Sequence, residues 1–270
     1  MTFPWDERAP GLPGSEQRND KPFRSGEIID LTKRRLLIGI PHQDVCTVQW
    51  AMTLSLLLKP PSYGFALVRG VPIDVARDII ADVAREDKSI TDLINIDSDV
   101  CPDQRDALIQ LMSSQGRPFI SGIYYSKAFA GRYPAAWLKD PVADHYNPIG
   151  PKQPGRFVDV DVVGMGFCRV DPEIYRKLEP PWHQWKHMKY DPATHKKFRG
   201  NSEDFEFCHY AATLGDEYKP VVDTQLTASH IGYFWALGDG SLDALGAKPP
   251  KGTDFSRRAE YPGTAKGEAE

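Results

Sequence analysis

Two rhythms of apolar residues alternate along the middle of the chain. Short runs rich in aliphatic residues, "RLLIGI" from Arg35, "FALVRG" from Phe65 and "TDLINID" from Thr91, predict strands. The segments "TVQWAMTLSLLL", "PIDVARDIIADVARE" and "PDQRDALIQLMSSQ" carry apolar residues at helical spacing. The resulting βαβαβα order predicts a mainly parallel sheet covered by helices, with ligands bound beyond the carboxyl ends of the strands. Further along, "FISGIYY" and "RFVDVDVVGMGF" read as strands around a Pro-rich aromatic connector, "RYPAAWLKDPVADHYNPIGPKQPG", of a length typical of functional loops. Helices "DPEIYRKL" and "SEDFEFCHYAATLG" and a strand "PVVDTQLTASH" complete an α/β fold with a mixed, mainly parallel sheet.

The rhythm fails at both ends. Residues 1–34 and 246–270 are rich in Pro, Gly and charge without a period, which sets the folded domain at 35–245 between two tails. The net charge of −4 gives no global reason to expect nucleic acid or an acidic membrane as partner, so an anionic ligand must be held by local features. The four cysteines include no C-x-x-C pair, which points to reduced thiols rather than a zinc knuckle or disulfide framework. The N-terminus lacks the pattern of a signal peptide, and no apolar run approaches the ~20 residues of a membrane helix. A soluble cytoplasmic protein is the expectation.

The candidate chemistry gathers at strand ends. In "LINIDSDV" the third strand closes on Asp97 and Asp99; residues two apart on a strand project to one side, with Ser98 facing away. Two like charges so placed call for a shared cation, and a divalent metal carrying a phosphate is the simplest one. The competing reading is a solvated turn in which Asp99 or Asp103 caps the following helix. In "NSEDFEFCHYAATLG", Asn201 or Ser202 can cap a helix with Glu203 and Asp204 in its first turn, where an aspartate is kept ionised, as a general base must be. His230, closing the last long strand, would complete an N,O site suited to manganese beside the two carboxylates. Otherwise it is a structural histidine.

Gly164 and Gly166 do not open a helix after a first strand, so they form no dinucleotide fingerprint. Like Gly122, they suggest a bulge or a close backbone approach to a ligand. Trp182 and Trp185 are either core or stacking surfaces for sugar rings. Neighbouring His183 and His187 lack the glutamate of a zinc-protease motif and read as surface or acceptor-site residues.

Taken in order, "LLIGIPHQD", "VARDIIADVA", "LINIDSDV", "FISGIYY", "VDVVGMGF", "SEDFEFCHYAATLG" and "VDTQLTASHIG" resemble the GT-A glycosyltransferases, particularly the family 2-like enzymes, over about residues 35–235. The resemblance implies a Rossmann-like three-layer sandwich and a nucleoside-diphosphate sugar donor such as a UDP- or GDP-sugar. It further implies a divalent cofactor, Mn2+ or Mg2+, and a hydroxyl acceptor. By residue, it implies Asp97 toward ribose and metal, Asp99 as direct ligand, His230 completing the coordination, and Asp204, with Glu203 second, as base of an inverting transfer. The nucleotide-sugar site would comprise Pro41, His42, Asp44, Arg77, Asp97, Ser98, Gly122, Gly164 and Gly166. Arg77 matches the arginine of the family's A-R-N segment, although Asp78 replaces the asparagine.

Two other readings remain in play. "DSDV" with "WALGDGSLDALG" resembles the motifs of haloacid-dehalogenase-like phosphatases using Asp97 and Asp99, but there the D-x-D closes the first strand, and here it closes the third. A catalytically silent relative that binds nucleotide or glycan in the same cleft is the other.

Overall fold

The computed structural model describes residues 30–42, 46–114, 116–125, 133–142, 145–150, 155–186, 189–191, 196–198, 201–231, 234–236 and 242–244. From Leu31 onward the described residues form one compact unit. Apart from 30–34, the two expected tails lie outside the described residues.

The first half is β1 (Arg35–His42), α1 (Val48–Leu56), β2 (Ser62–Arg69), α2 (Ile73–Glu86), β3 (Asp92–Ile96), β4 (Val100–Pro102) and α3 (Ala107–Ser113). The second half continues with β5 (Phe119–Tyr124), β6 (Ala136–Lys139), β7 (Tyr146–Pro148), β8 (Phe157–Asp159), β9 (Val162–Val163), β10 (Phe167–Val170) and α4 (Pro172–Lys177). It ends with β11 (Lys189–Asp191), β12 (Lys196–Phe198), α5 (Glu203–Ala212), β13 (Val221–His230), β14 (Phe234–Ala236) and β15 (Leu242–Ala244). The alternating first half is as the apolar rhythm predicts. No helix among the described residues is long and apolar enough to cross a membrane.

The main sheet follows the order β15-β14-β13-β5-β10-β3-β1-β2, with β4 and β8 also paired to β13. The pairs β1–β2, β1–β3 and β5–β13 are parallel, and the others in this sheet are antiparallel. A mixed sheet is thus found, but antiparallel pairs predominate where mainly parallel pairing was expected. Two of these pairs come from β10, which enters from the long connector and runs between β3 and β5 against both, and the rest from β4, β8, β14 and β15 beside β13. β1, β2, β3, β5 and β13 all point one way, so their carboxyl ends share one edge.

Alternation along the strands feeds two cores. Leu36, Ile38 and Ile40 of β1, Ile94 and Ile96 of β3 and Phe167 of β10 pack with Trp50 of α1 and Leu108 and Leu111 of α3. Leu37, Leu93, Cys168 and Val170 point to the other face and pack under Ile80 and Ala84 of α2, Tyr175 of α4 and Phe207 of α5. These are the layers of a three-layer α/β/α sandwich. Gly39 lets α2 approach the sheet closely, because a Cβ there would fall 2.5 Å from Ile80 Cγ2.

Candidate functional site

The carboxyl edge of the sheet gathers most of the residues singled out from sequence. β3 delivers Asp97, β5 ends on Tyr124, β13 ends on His230, and the turn before β10 carries Met165 and Gly166. The backbone of Asp97 is fixed on three sides. Its N–H donates to Gly166 O at 3.0 Å, and its carbonyl accepts from Val100 N at 3.0 Å and from Trp50 Nε1 at 2.9 Å. The bond from Val100 closes a turn, so β3 stops at Ile96 and Asp97 to Asp99 do not continue as pleated strand. This corrects the expectation that both carboxylates share one side through strand geometry: each takes its own partner. Ser98 is half-buried within the turn.

Asp97 meets Arg77. The guanidinium of this α2 residue is 3% exposed and lies 3.2 Å from Asp97, 3.5 Å from Glu203 and 3.6 Å from Asp204, and donates to Met165 O at 3.4 Å. Arg77 faces inward because Ala76, Ile80, Ala81 and Ala84 form the buried stripe of α2 and leave room beside them. Burial alone would lower its pKa; the charges of Asp97, Asp204 and Glu203 overcome that and hold it well above the usual arginine value.

One guanidinium faces three carboxylates, and the imbalance falls on Asp204. Burial pushes its carboxyl well above the ordinary range; Arg77 and a backbone hydrogen bond from Met165 pull it down, and the charges of Glu203 and Asp97 add to the rise. Burial therefore opposes the ionisation expected of a helix-start aspartate, since loss of water outweighs the helix terminus. Ser202 occupies the cap position of α5 but its side chain makes no capping bond. Three oxygens of the cluster, Asp97 Oδ1, Glu203 Oε2 and Asp204 Oδ1, are buried without a hydrogen-bond partner.

Asp99 and His230 form the neighbouring half. β4 pairs with β13 so that Val100 lies opposite His230, which brings Asp99 Oδ1 to 3.4 Å from His230 Nε2. His230 Nδ1 lies 3.0 Å from Tyr125 O. A carbonyl only accepts, so Nδ1 carries the hydrogen and Nε2 faces the carboxylate, the orientation common in metal-ligating histidines. Asp99 and His230 thus place an oxygen and a nitrogen donor side by side. The third ligand expected, Asp97, is engaged by Arg77, and among the described residues no three His, Cys, Asp or Glu side chains converge on one point.

Tyr124 joins the halves and was missed from sequence. Its ring stands edge-on to His230, centroids 5.4 Å apart, and its buried hydroxyl accepts from Gly166 N at 3.0 Å. The signal was present in Gly164 and Gly166. A Cβ at Gly164 would fall 2.2 Å from the Tyr124 hydroxyl, and one at Gly166 would fall 2.9 Å from Asp97 Oδ2 and 3.0 Å from the hydroxyl. The close approach these glycines allow is to Tyr124 and Asp97 within the protein. Gly122 likewise makes room for the Phe167 ring, 2.2 Å from a would-be Cβ.

The remaining residues lie apart or turn inward. Pro41 is buried and His42 half-buried at the carboxyl end of β1, level with the end of β3; Asp44 lies outside the described residues. Trp182 is 2% exposed, packs edge-on against Tyr175 and donates to Leu178 O at 3.0 Å, so it offers no face to a sugar. His183 is also core: it stacks on Phe207, burial lowers its pKa, and Asp78 Oδ1 accepts from its ring Nδ1 and backbone N–H at 2.9 Å each. Asp78 thereby ties this segment to α2, a task an asparagine oxygen could share. Trp185 is 46% exposed, and His187 lies outside the described residues.

Neither a protein-family model nor a curated protein matches the sequence. Among solved structures, A197 from STIV is similar over 79% of this chain and 95% of its own, with 19% identity and a TM-score of 0.55. The likeness is one of fold. A glycosyltransferase involved in the glycosylation of the major capsid of PBCV-1 is similar over 55% of this chain and 69% of its own, with 15% identity and a TM-score of 0.29, too loose a superposition to weigh.

Proposed function

We propose that the chain is a glycosyltransferase that moves a sugar from a nucleoside-diphosphate donor to a hydroxyl acceptor with inversion. The observation that carries this reading is the pairing, across Tyr124, of the Asp99–His230 couple with a recessed carboxylate of raised proton affinity, Asp204. The first suits the departing diphosphate, and the second suits the acceptor.

Asp99 and His230 would hold a Mn2+ or Mg2+ ion, with donor oxygens completing its shell. When bound, the ion offsets charge on the leaving diphosphate. The chain's own residues do the rest. Pro41 and His42, with Asp44, flank the nucleobase. Arg77, kept charged, fixes Asp97, Glu203 and Asp204 against one another. Asp204 takes the hydroxyl proton as the acceptor oxygen bonds to the anomeric carbon, and the carbon–phosphate oxygen bond breaks with its electrons passing to the diphosphate. A raised pKa strengthens the base while leaving it ionised above that pKa.

Asp97 held by Arg77 also weighs against the phosphatase reading, which needs that carboxylate free to attack; of its second motif, Gly238 to Asp243, only Leu242 and Asp243 are described. Thermal-shift screening of UDP, GDP and other nucleoside diphosphates with and without Mn2+ tests the proposal. Stabilisation by one nucleotide that requires metal supports it, as does slow hydrolysis of the matching sugar donor. No shift with any nucleotide refutes it.

A further inference from the structure

Strand β2 ends the sheet: among the described residues it pairs with β1 alone, in an unbroken parallel register from Ser62 to Arg69. Its outer edge thus carries a row of backbone N–H and C=O groups. Natural edge strands are blunted by proline, lysine, bulges or shortness. "SYGFALVR" has eight residues, no proline, no lysine, no bulge and one charge, at its last position.

The surroundings of this edge are apolar on both faces. Tyr63, Phe65 and Leu67 alternate onto one face, beside Leu36, Ile38 and Ile40 of β1, and are 44–61% exposed. On the other face α2 leans toward β10 through Asp78 and Ala84, which bond the segment around α4. Its opposite flank, Val75, Ile79 and Val83 at four-residue spacing, therefore lies toward the β2 edge and is 42–43% exposed. The six side chains expose on the order of 500 Å2, close to the apolar share of the ~800 Å2 that each partner buries in a standard stable interface.

The occupant must supply backbone hydrogen bonds as well as apolar contact. A bilayer supplies none. Residues 1–29 and 245–270 contain no alternating apolar run that could pair as a strand. β2 itself has both properties, and an isologous interface needs nothing more. We infer that the chain forms a two-fold dimer by antiparallel pairing of β2 with β2 of a second copy. Opposite residues on antiparallel strands share a face, and an axis at Phe65, the middle of Tyr63, Phe65 and Leu67, overlaps all three with those of the second copy. Phe65 then meets its own copy, Tyr63 meets Leu67 of the second copy, and the two Arg69 side chains lie at opposite ends.

Sedimentation of the full chain at 1–100 µM tests this. The wild type should show twice the 30.3 kDa chain mass, and Phe65→Lys and Ile79→Lys, each with an unchanged circular-dichroism spectrum, should sediment as monomers. Phe65→Cys in a Cys46→Ser background should cross-link to itself on mild oxidation, since Cys46 is the exposed thiol among the four and opposed strand positions lie within disulfide reach. A monomeric wild type overturns the inference, as do folded lysine variants that remain dimeric. If neither lysine variant folds, the cross-link decides, and its absence overturns the inference.

Discussion

Replacing Asp204 with asparagine should make the protein more stable and less active. The amide keeps the shape of the carboxylate and removes one of three negative charges facing Arg77. At an effective dielectric of ~20, the contact with Arg77 at 3.6 Å is worth about 4–5 kcal/mol, and repulsion from the two carboxylates sharing that guanidinium opposes it. Burial is the largest influence on Asp204, and relieving a poorly solvated carboxylate gains about 1–3 kcal/mol. For a chain of this size that is roughly 2–10 °C in Tm. The sign with pH follows from the direction of the shift. Asp204 has a folded pKa raised above its unfolded value, so the stability it contributes is full below about pH 4 and is lost as pH rises through the folded pKa. Melting curves of wild type and Asp204→Asn from pH 4.5 to 8.5 should coincide most nearly in acid and diverge in the variant's favour with rising pH. A variant less stable than wild type at pH 8, or a gap independent of pH, refutes the charge argument.

His230→Ala should abolish the Mn2+-dependent part of any nucleotide stabilisation, measured by thermal shift, while leaving metal-free nucleotide binding within a few-fold. Gly166→Ala places a Cβ 2.9 Å from Asp97 Oδ2 and should cost about 1–3 kcal/mol in urea unfolding, with a loss of transfer beyond that explained by unfolding. Asp92→Asn should cost about 3–5 kcal/mol at pH 7, because it strands the buried Arg169, and the deficit should shrink in acid. An Asp92→Asn variant within 1 kcal/mol of wild type would show the cluster to be replaceable.

The order of strands and helices was legible because β1 and β3 are buried on both faces and read as continuous apolar runs, while α2 carries a sharp apolar stripe. Sheet sense was not. β10 arrives from a connector of some forty residues, and nothing local to "GFCRV" says that it will insert between β3 and β5. The strands β6 and β7 escaped notice because they are four and three residues long and set among prolines and charges, and β8 and β9 were read as one strand. Candidate site residues were found where a charged side chain broke an apolar run, as at Asp97, Asp204 and His230. What each carboxylate touches depended on a turn closed by the Val100 N–H, which leaves no residue signature. Trp182 and His183 misled for a related reason: polar aromatics among prolines resemble a binding surface until Asp78, about a hundred residues away, is seen to hold them inside.

The two ends of β3 show how one buried acid is satisfied while others are not. At its start, Asp92 is fully buried, but Arg34 and Arg169 both bond it and Thr91 donates at 2.6 Å. Burial pushes its carboxyl up, and these partners outweigh burial and hold it below the ordinary range. Its contribution is present above about pH 4 and lost as pH falls through the folded value. At the other end one guanidinium serves three carboxylates, and an oxygen of each is buried without a hydrogen-bond partner, those of Asp97 and Asp204 facing Arg77 at 3.2 and 3.6 Å. Satisfied polar clusters fix a fold; unsatisfied ones await something. On the function proposed above, a hydroxyl entering beside Asp204 would supply a donor to the carboxylate that burial destabilises. Acceptor binding should then recover stability in Asp204 that asparagine, already relieved of charge, has less of to recover. A ligand-induced Tm rise larger in wild type than in Asp204→Asn is the expected result, and equal rises would place the acceptor elsewhere.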